Sequence, residues 1–347
     1  MGSVDGAGSI IVNGLRYETS TATGGVEDAP NGLQLGMSAK VVGPVNAEFT
    51  QGIARSVESA ADIRGPVASV NPAQRSFNIF GTTVTTDGAT VWADADGVAA
   101  IQAGQTLQVW GLPGAPAVLR ATRIEQRPSS TPILTGTVQN LDTIRRTFSL
   151  SGALVDYSRV APTGTVDGQL LANGTIVRVR ADAPAPGGPF VATQVQWWYP
   201  VPRVEQSIAQ IAGIVTEFGG LGSLRVLGVP VDASSAQVTG GQAGAMGNGV
   251  KVEVGGVVTG GVLRATKLKI RHVPGTGGPV SFDVTGNIGA FRSPSDFRVR
   301  GQPVNAGGAG TAFINGQASN LGNGVRVRVV GSRVANGVLV AESVTFQ

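Results

Sequence analysis

Hydrophobic and polar residues alternate along many short stretches of the chain, and five of these stretches follow one plan. The pattern apolar-x-apolar-x-Gly, with another apolar residue three positions on, occurs as IIVNGLRY at Gly14, FNIFGTTV at Gly81, FSLSGALV at Gly152, LRVLGVPV at Gly228 and FRVRGQPV at Gly301. A second glycine follows after 22, 23, 22, 21 and 23 residues and opens a run of form Gly-x-x-apolar-x-Val-x-Gly/Ala. These runs are GMSAKVVG from Gly36, GQTLQVWG from Gly104, GTIVRVRA from Gly174, GVKVEVGG from Gly249 and GVRVRVVG from Gly324. Each unit closes 16 to 18 residues later with Ala-x-x-apolar, as in Ala121/Ile124 and Ala341/Val344, and opens with Gly-x-apolar, as in Gly65/Val67. Spacings held this closely over five units mark an internal repeat, which governs every local reading that follows.

Alternation with period two predicts strands, with Phe77 and Ile79 turned inward and Asn78 toward solvent. NPAQRS, FGGLGS and RSPSD supply hairpin turns between the first and second strands of their units. The frame glycines are expected to provide positive φ or a bend at a barrel corner. The expected fold class is therefore all-β: a tandem array of five small antiparallel β-barrel units of OB-like shape. The units are residues 1–64, 65–130, 131–203, 204–279 and 280–347. Segments richer in Pro and small residues, SAADIRGP, QRPSSTP, WWYPVPRVEQSIAQ and RHVPGTGGPVS, read as linkers, so the array is expected to form a bent or curved rod.

Composition narrows the class. With 52 Gly, 19 Pro, 41% apolar and 14% charged residues, the chain is too apolar for disorder and too interrupted for long helices. No apolar run approaches 18 residues, so no transmembrane helix is expected. Cys is absent, which removes disulfides, thiolate nucleophiles and zinc-cysteine sites. The opening MGSVDG reads as a start downstream of a removed leader.

Charge is uneven along the array. The first unit carries net −3, the second is neutral, the third and fourth are +2 each, and the fifth is +3. An acidic head and a basic tail favour head-to-tail association of copies, the heterologous contact that yields rings or filaments. The first unit also has a shortened opening hairpin, 12 residues from Gly2 to Gly14 against 15 or 16 elsewhere. Its edge is expected to be underfilled and open to a strand from a neighbour. Alternation turns Arg178 with Arg180, and Arg326 with Arg328, to the outward face, and FRVRG adds Arg298 and Arg300. Such ladders suit contacts with phosphate or acidic polysaccharide, or a solvated face that protects a sheet edge. The stacking aromatics of single-strand binding are missing from these faces, so nucleic acid is not an expected partner.

Trp197, Trp198 and Tyr199, followed by Pro200 and Pro202, read either as a sugar-stacking or docking patch or as packing of the third unit against the fourth, with a hinge between them. Trp110, outward by alternation, and Trp92 read as interdomain or rim contacts. The search for catalytic chemistry returns exclusions. A single histidine, His272, leaves no two-histidine zinc site and no HExxH, and reads as a surface residue. No lysine follows a GxxxxG frame, and GGLGSL and GGAGTAF fall short of GxGxxG. Asp94-Ala-Asp96-Gly97 begins like a calcium loop, but its twelfth position is Gln105 rather than Glu. No cofactor, metal or catalytic residue is expected, and the chain reads as a non-enzyme.

The stretches GSIIVNGLRYETSTA and LQLGMSAKVVGPVNAEFTQGIARSVE closely resemble the tandem bacterial domain of unknown function (DUF) 5666. The resemblance covers all five units and is strongest over residues 8–126; Ala181 and the inserts GGQAGAMGNG and AGGAGTAFING depart from it. It implies a small β-barrel-like repeat in exported or surface proteins, periplasmic or extracellular, and brings no catalytic residues. Two functions are carried forward. One is a structural or assembly protein of the cell envelope or extracellular matrix that polymerises head to tail with itself. The other is a repeat array that binds polysaccharide or another ligand.

Overall fold

The computed structural model describes residues 2–7, 10–12, 15–46, 48, 50–128, 131–163, 170–185, 188–199, 204–271 and 281–347. Gly14, His272, Pro200, Pro202 and most of RHVPGTGGPVS lie outside them. Regular structure among these residues is strand, with four short 3-10 turns. The fold is thus all-β, arranged in several sheets.

Residues 208–271 display the pairing order that every unit uses. Ile208–Thr216 pairs antiparallel with Leu224–Val226 on one side and Lys251–Thr259 on the other. Leu224–Val226 pairs with Val229–Asp232, which runs parallel to Val262–Arg271. Val262–Arg271 returns antiparallel to Lys251–Thr259, so five strands form a closed cycle of partners. The same order recurs in the other units, with a parallel pair each time between the third strand and the last: Arg16↔Gln51, Thr83↔Val118, Val155↔Phe190 and Val304↔Leu339. The expected wholly antiparallel pairing is corrected here. The chain leaves the third strand, runs through a long connection and the fourth strand, and so re-enters beside the third in the same direction.

The frame glycines have a common physical cause. The first sits second in a two-residue hairpin loop, where both residues need positive φ. Phe80–Gly81, Ser151–Gly152, Leu227–Gly228 and Arg300–Gly301 all take that left-handed pair, with φ between 49° and 86°. The second frame glycine is left-handed in all five units, from 79° at Gly36 to 89° at Gly174. The repeat visible in the sequence is therefore a repeat of backbone conformation.

The units do not line up as a rod. The first unit's Gly2–Ala7 pairs in parallel with the fifth unit's Phe282–Ser293, at Gly6↔Asp283 and Ala7↔Val284, so the two ends of the chain share one sheet. A methyl group on Gly6 would lie 2.1 Å from the Asp283 carbonyl oxygen, so only glycine permits this approach. The fifth unit also reaches the second: Asn336 N–H donates to the Ala95 carbonyl at 2.9 Å, Gly337 N–H to that of Trp92 at 2.8 Å, and Arg333 pairs with Asp96. The strand Ile63–Pro66, which straddles the boundary at residue 64, pairs with Thr106–Pro113 of the second unit and, at Ile133↔Arg64, with the third, so these units share a sheet. Leu35 of the first unit and Val91 of the second enter the fifth unit's core, and Leu112, Trp198 and Tyr199 enter the fourth unit's. The rod also fails because the first supposed linker, SAADIRGP, is not a spacer. In SAADIRGP, residues 59–65 are all buried.

Gly152→Ala meets no atom within 4 Å and isolates the cost of a left-handed Ala, ~1–2 kcal/mol. Gly6→Ala carries no left-handed cost but meets the Asp283 carbonyl at the seam, and urea denaturation is expected to register a larger loss, about 2–4 kcal/mol, with faster amide hydrogen exchange over residues 282–285. Equal losses for the two variants would remove the steric account of the seam.

Candidate functional site

Asp62 lies in the segment joining the first and second units and is fully buried. Its carboxylate accepts four hydrogen bonds from three units. Ser38 Oγ donates at 2.7 Å, Gly111 N–H at 2.8 Å, Arg178 Nη2 at 2.6 Å and Trp198 Nε1 at 2.5 Å. Arg178 stacks on the Tyr199 ring, its guanidinium carbon 4.8 Å from the centroid. Tyr199 Oη accepts from Ala60 N–H at 2.9 Å and donates to the Ser38 carbonyl at 3.2 Å. Burial opposes the charge on Arg178, but the Tyr199 oxygen and the Asp62 carboxylate outweigh it and hold its pKa above the ordinary value. Burial raises the Tyr199 hydroxyl. Beside this cluster, Met37, Ala61, Trp110 and Ile133 form a small core of their own from the first three units.

A second group of charges lies along the same seam. Asp28 pairs with Arg64 and, at 2.6 Å, with Arg180, which also meets Glu27 at 2.8 Å. Arg64 reaches Gln108, and Glu125 pairs with Arg123 at 2.8 Å and Arg127 at 2.9 Å. Burial pushes the Asp28 carboxyl up, but Arg180 and Arg64 outweigh it and hold it down at about 2.

The outward arginine ladder of the third unit is therefore corrected. Val177 and Val179 fill the unit's own core, as alternation requires. Arg178 and Arg180 do face away from that core, but the first unit covers the face they occupy. Alternation reports the side of a strand and not what lies beyond it. Trp110 behaves the same way: it points out of its own unit and is buried between three. In the fifth unit, Arg298, Arg300, Arg326 and Arg328 are exposed. Arg300, however, belongs to the hairpin turn rather than to a strand face, and Arg328 grips Asp283 at 2.7 and 2.9 Å. Arg16 of the first unit approaches the same carboxylate at 3.9 Å.

Trp197, Trp198 and Tyr199 are each less than a tenth exposed, so they do not form an open stacking platform. The hinge expected there is, up to Tyr199, a tied junction. These three residues instead line a cleft of about 860 Å³ where the second, third and fourth units meet. The Pro113–Pro116 loop and Arg120 contribute from the second unit, Asn173 and Ile176 from the third, and Glu217, Arg225 and Asn248 from the fourth. Arg225 pairs with Glu217 at 2.8 Å. Arg120 Nη1 is buried and without a hydrogen-bond partner. Sequence reasoning missed Arg120, Asp62 and Asp28, since none belongs to a periodic charge pattern. The available signal was the Arg178 and Arg180 pair, which, once a neighbouring unit covers its face, calls for buried counter-charge.

Among the described residues, no three His, Asp or Glu side chains gather to hold a metal, and no helix is long and apolar enough to cross a membrane. Asp96 is engaged by Arg333, and Asp94 accepts from Gln126 N–H at 2.8 Å, so both carboxylates of the calcium-like stretch already have partners.

Asp62→Asn keeps the shape of the cluster and strands the Arg178 charge; it is expected to cost about 3–5 kcal/mol in urea denaturation. Arg298→Gln, on the exposed face, is expected to change stability by less than about 0.5 kcal/mol. Because the folded pKa of Asp28 lies below its unfolded value of 3.8, its contribution is complete above that value and lost as pH falls toward about 2. Comparing the wild-type protein with Asp28→Asn between pH 7 and pH 2 is expected to give a difference of ~2 kcal/mol that disappears at the acid end.

The profile of the family described as Domain of unknown function (DUF5666) matches residues 64–125, 212–269 and 285–345. Each match spans one cycle of five paired strands and both of its left-handed frame glycines. No curated protein matches the chain. Since the three matches together cover more than half of the sequence, the chain belongs to the DUF5666 family as a tandem repeat of that domain.

Proposed function

We propose that this protein is a non-enzymatic structural or assembly protein of the bacterial cell envelope or extracellular matrix, built from five OB-like barrel units and exported to its place of work. The use of buried charge carries this reading. Asp28, Asp62, Arg64, Arg178 and Arg180, groups an enzyme would aim at a substrate, tie the first three units to one another. The pairing order first-second-third-fifth-fourth-first supports the barrel reading of each unit. Assembly between copies has complementary surfaces at hand. The net −3 first unit and the net +3 fifth unit meet within one chain, and the same surfaces fit in trans if the fifth unit is exchanged between copies.

A second reading, an array that binds polysaccharide or another ligand, is favoured by one observation. The cleft of about 860 Å³ lies within the range of ligand-sized sites, about 300–1,000 Å³, and combines an aromatic wall with a few polar groups.

Sedimentation velocity and electron microscopy over a concentration series, at low and high salt, separate the outcomes. Assembly is expected to strengthen as salt is lowered, and Gly6→Ala is expected to alter it. A strict monomer at every concentration and salt would sink the assembly reading.

A further inference from the structure

We propose that the fifth unit carries an anion site, a notch between Arg300 and Arg326 that binds the dianionic phosphoryl group of inorganic phosphate or of a small phosphomonoester. The notch lies on a different unit from those that form the cleft, and it stands or falls independently of the assembly and cleft readings.

The notch, about 290 Å³, is lined by Gly286, Asn287, Arg300 and Arg326. Gly286 makes room for the stem of Arg300: a methyl group there would lie 2.7 Å from its Cγ and 3.2 Å from its Nε. The Arg300 Nε then donates to the Thr285 carbonyl at 3.2 Å, which orients the guanidinium. Arg326 is held in the same manner, its Nε donating to Gln347 Oε1 at 3.2 Å. Each arginine is thus positioned through one nitrogen by a neutral acceptor, and its Nη donors have no protein partner among the described residues. Both side chains are exposed, so these donors are open to a ligand.

The acids of this face are already committed. Asp283 is engaged by Arg328 and approached by Arg16. Glu18 acts on Arg300 only through space, and its carboxylate accepts Thr19 and Ser20 N–H at 3.0 Å each. Arg298, on the strand Asp296–Val299, adds a third positive charge, its Nη1 donating to the Gly301 carbonyl at 2.9 Å. The field at the notch is therefore positive.

Elsewhere in the chain the same corner receives a neighbouring unit. The residues in the place of Arg300, each preceding a first frame glycine, are Phe80, Ser151 and Leu227. Phe80 covers Gly65 and meets Phe190 of the third unit at 4.8 Å, and Ser151 accepts from Thr82 Oγ1 of the second at 2.9 Å. Leu227 covers Gly213 and joins Trp198 and Tyr199 of the third unit in one core. Ile176, in the place of Arg326, lies against Gly228 of the fourth. Those corners are neutral and covered. The fifth unit's corner is cationic and open, so it is suited to an anion rather than to another apolar surface.

Two unanswered guanidinium charges match a dianion. A phosphoryl group offers about −1.5 to −2 charge at pH 7 and three acceptor oxygens, enough for both forks, whereas a carboxylate brings one charge and a single planar edge that one fork already fills. The notch has no apolar side chain in its lining, so it recognises the phosphoryl group and leaves its substituent in solvent.

The test is an NMR titration of the whole chain at constant ionic strength, followed at the arginine Nε–H and backbone amide signals, with inorganic phosphate, glucose 6-phosphate and acetate as probes. Phosphate is expected to shift the Arg300, Arg326 and Asn287 signals along one saturable curve. Glucose 6-phosphate is expected to bind within about threefold of it and acetate about tenfold more weakly. Arg300→Gln and Arg326→Gln are each expected to weaken phosphate about tenfold, and Arg326→Lys, which keeps the charge without the fork, about threefold. Arg145→Gln, exposed on the third unit, is expected to change nothing. Shifts that never saturate, or insensitivity to Arg300→Gln and Arg326→Gln in proteins that melt as the wild type does, overturn the site as general screening of surface charge. Acetate binding as tightly as phosphate overturns the dianion assignment. Glucose 6-phosphate binding where inorganic phosphate does not overturns the assignment to the phosphoryl group alone.

Discussion

One buried carboxylate constrains three of the five units. Asp62 can hold its charge away from water only while Ser38, Gly111, Arg178 and Trp198 surround it, and those groups belong to the first, second and third units. Undocking any one of them leaves a bare ion or an unpaired arginine in an apolar surround. Such a cluster adds little net stability over a well-packed apolar core, since desolvation offsets most of the attraction. What it supplies is uniqueness: one register and one relative placement satisfy all four donors. The cleft inherits that placement, because Trp198 and Tyr199 form its wall with their far sides fixed to Asp62, Ser38 and Arg178.

The interior of each unit was legible in the sequence. Apolar alternation located the strands, and the glycine frame located the hairpin loops and the left-handed residue before the fourth strand. These features are local: a two-residue loop and a period-two pattern are settled within about ten residues. The placement of the units was not legible. SAADIRGP carries small residues and a proline, the usual marks of a spacer, yet its smallness is what lets Ala60, Ala61 and Gly65 sink between neighbours. Arg178 and Trp110 were assigned to the correct side of their strands but to the wrong surroundings.

The charge gradient is a related case. Its sign was evident from counting, and the acidic first unit and the basic fifth do meet in the fold, but the ion pair between them joins an acid of the fifth unit to an arginine of the first. Asp283 sits in the strand that meets Gly2–Ala7 and gathers Arg328 of its own unit and Arg16 of the first. Composition had suggested a contact between copies; the strand order makes it a contact within one chain.

The seam between Gly6 and Asp283 also has a consequence in time. Residue 6 leaves the ribosome some 277 residues before its partner strand exists. The first unit must therefore persist through most of synthesis with a bare backbone edge, the kind of surface that recruits stray strands. Closure waits for the fifth unit, so a chain truncated before residue 283 carries an unsealed edge, whereas one that includes the strand Phe282–Ser293 covers it from within.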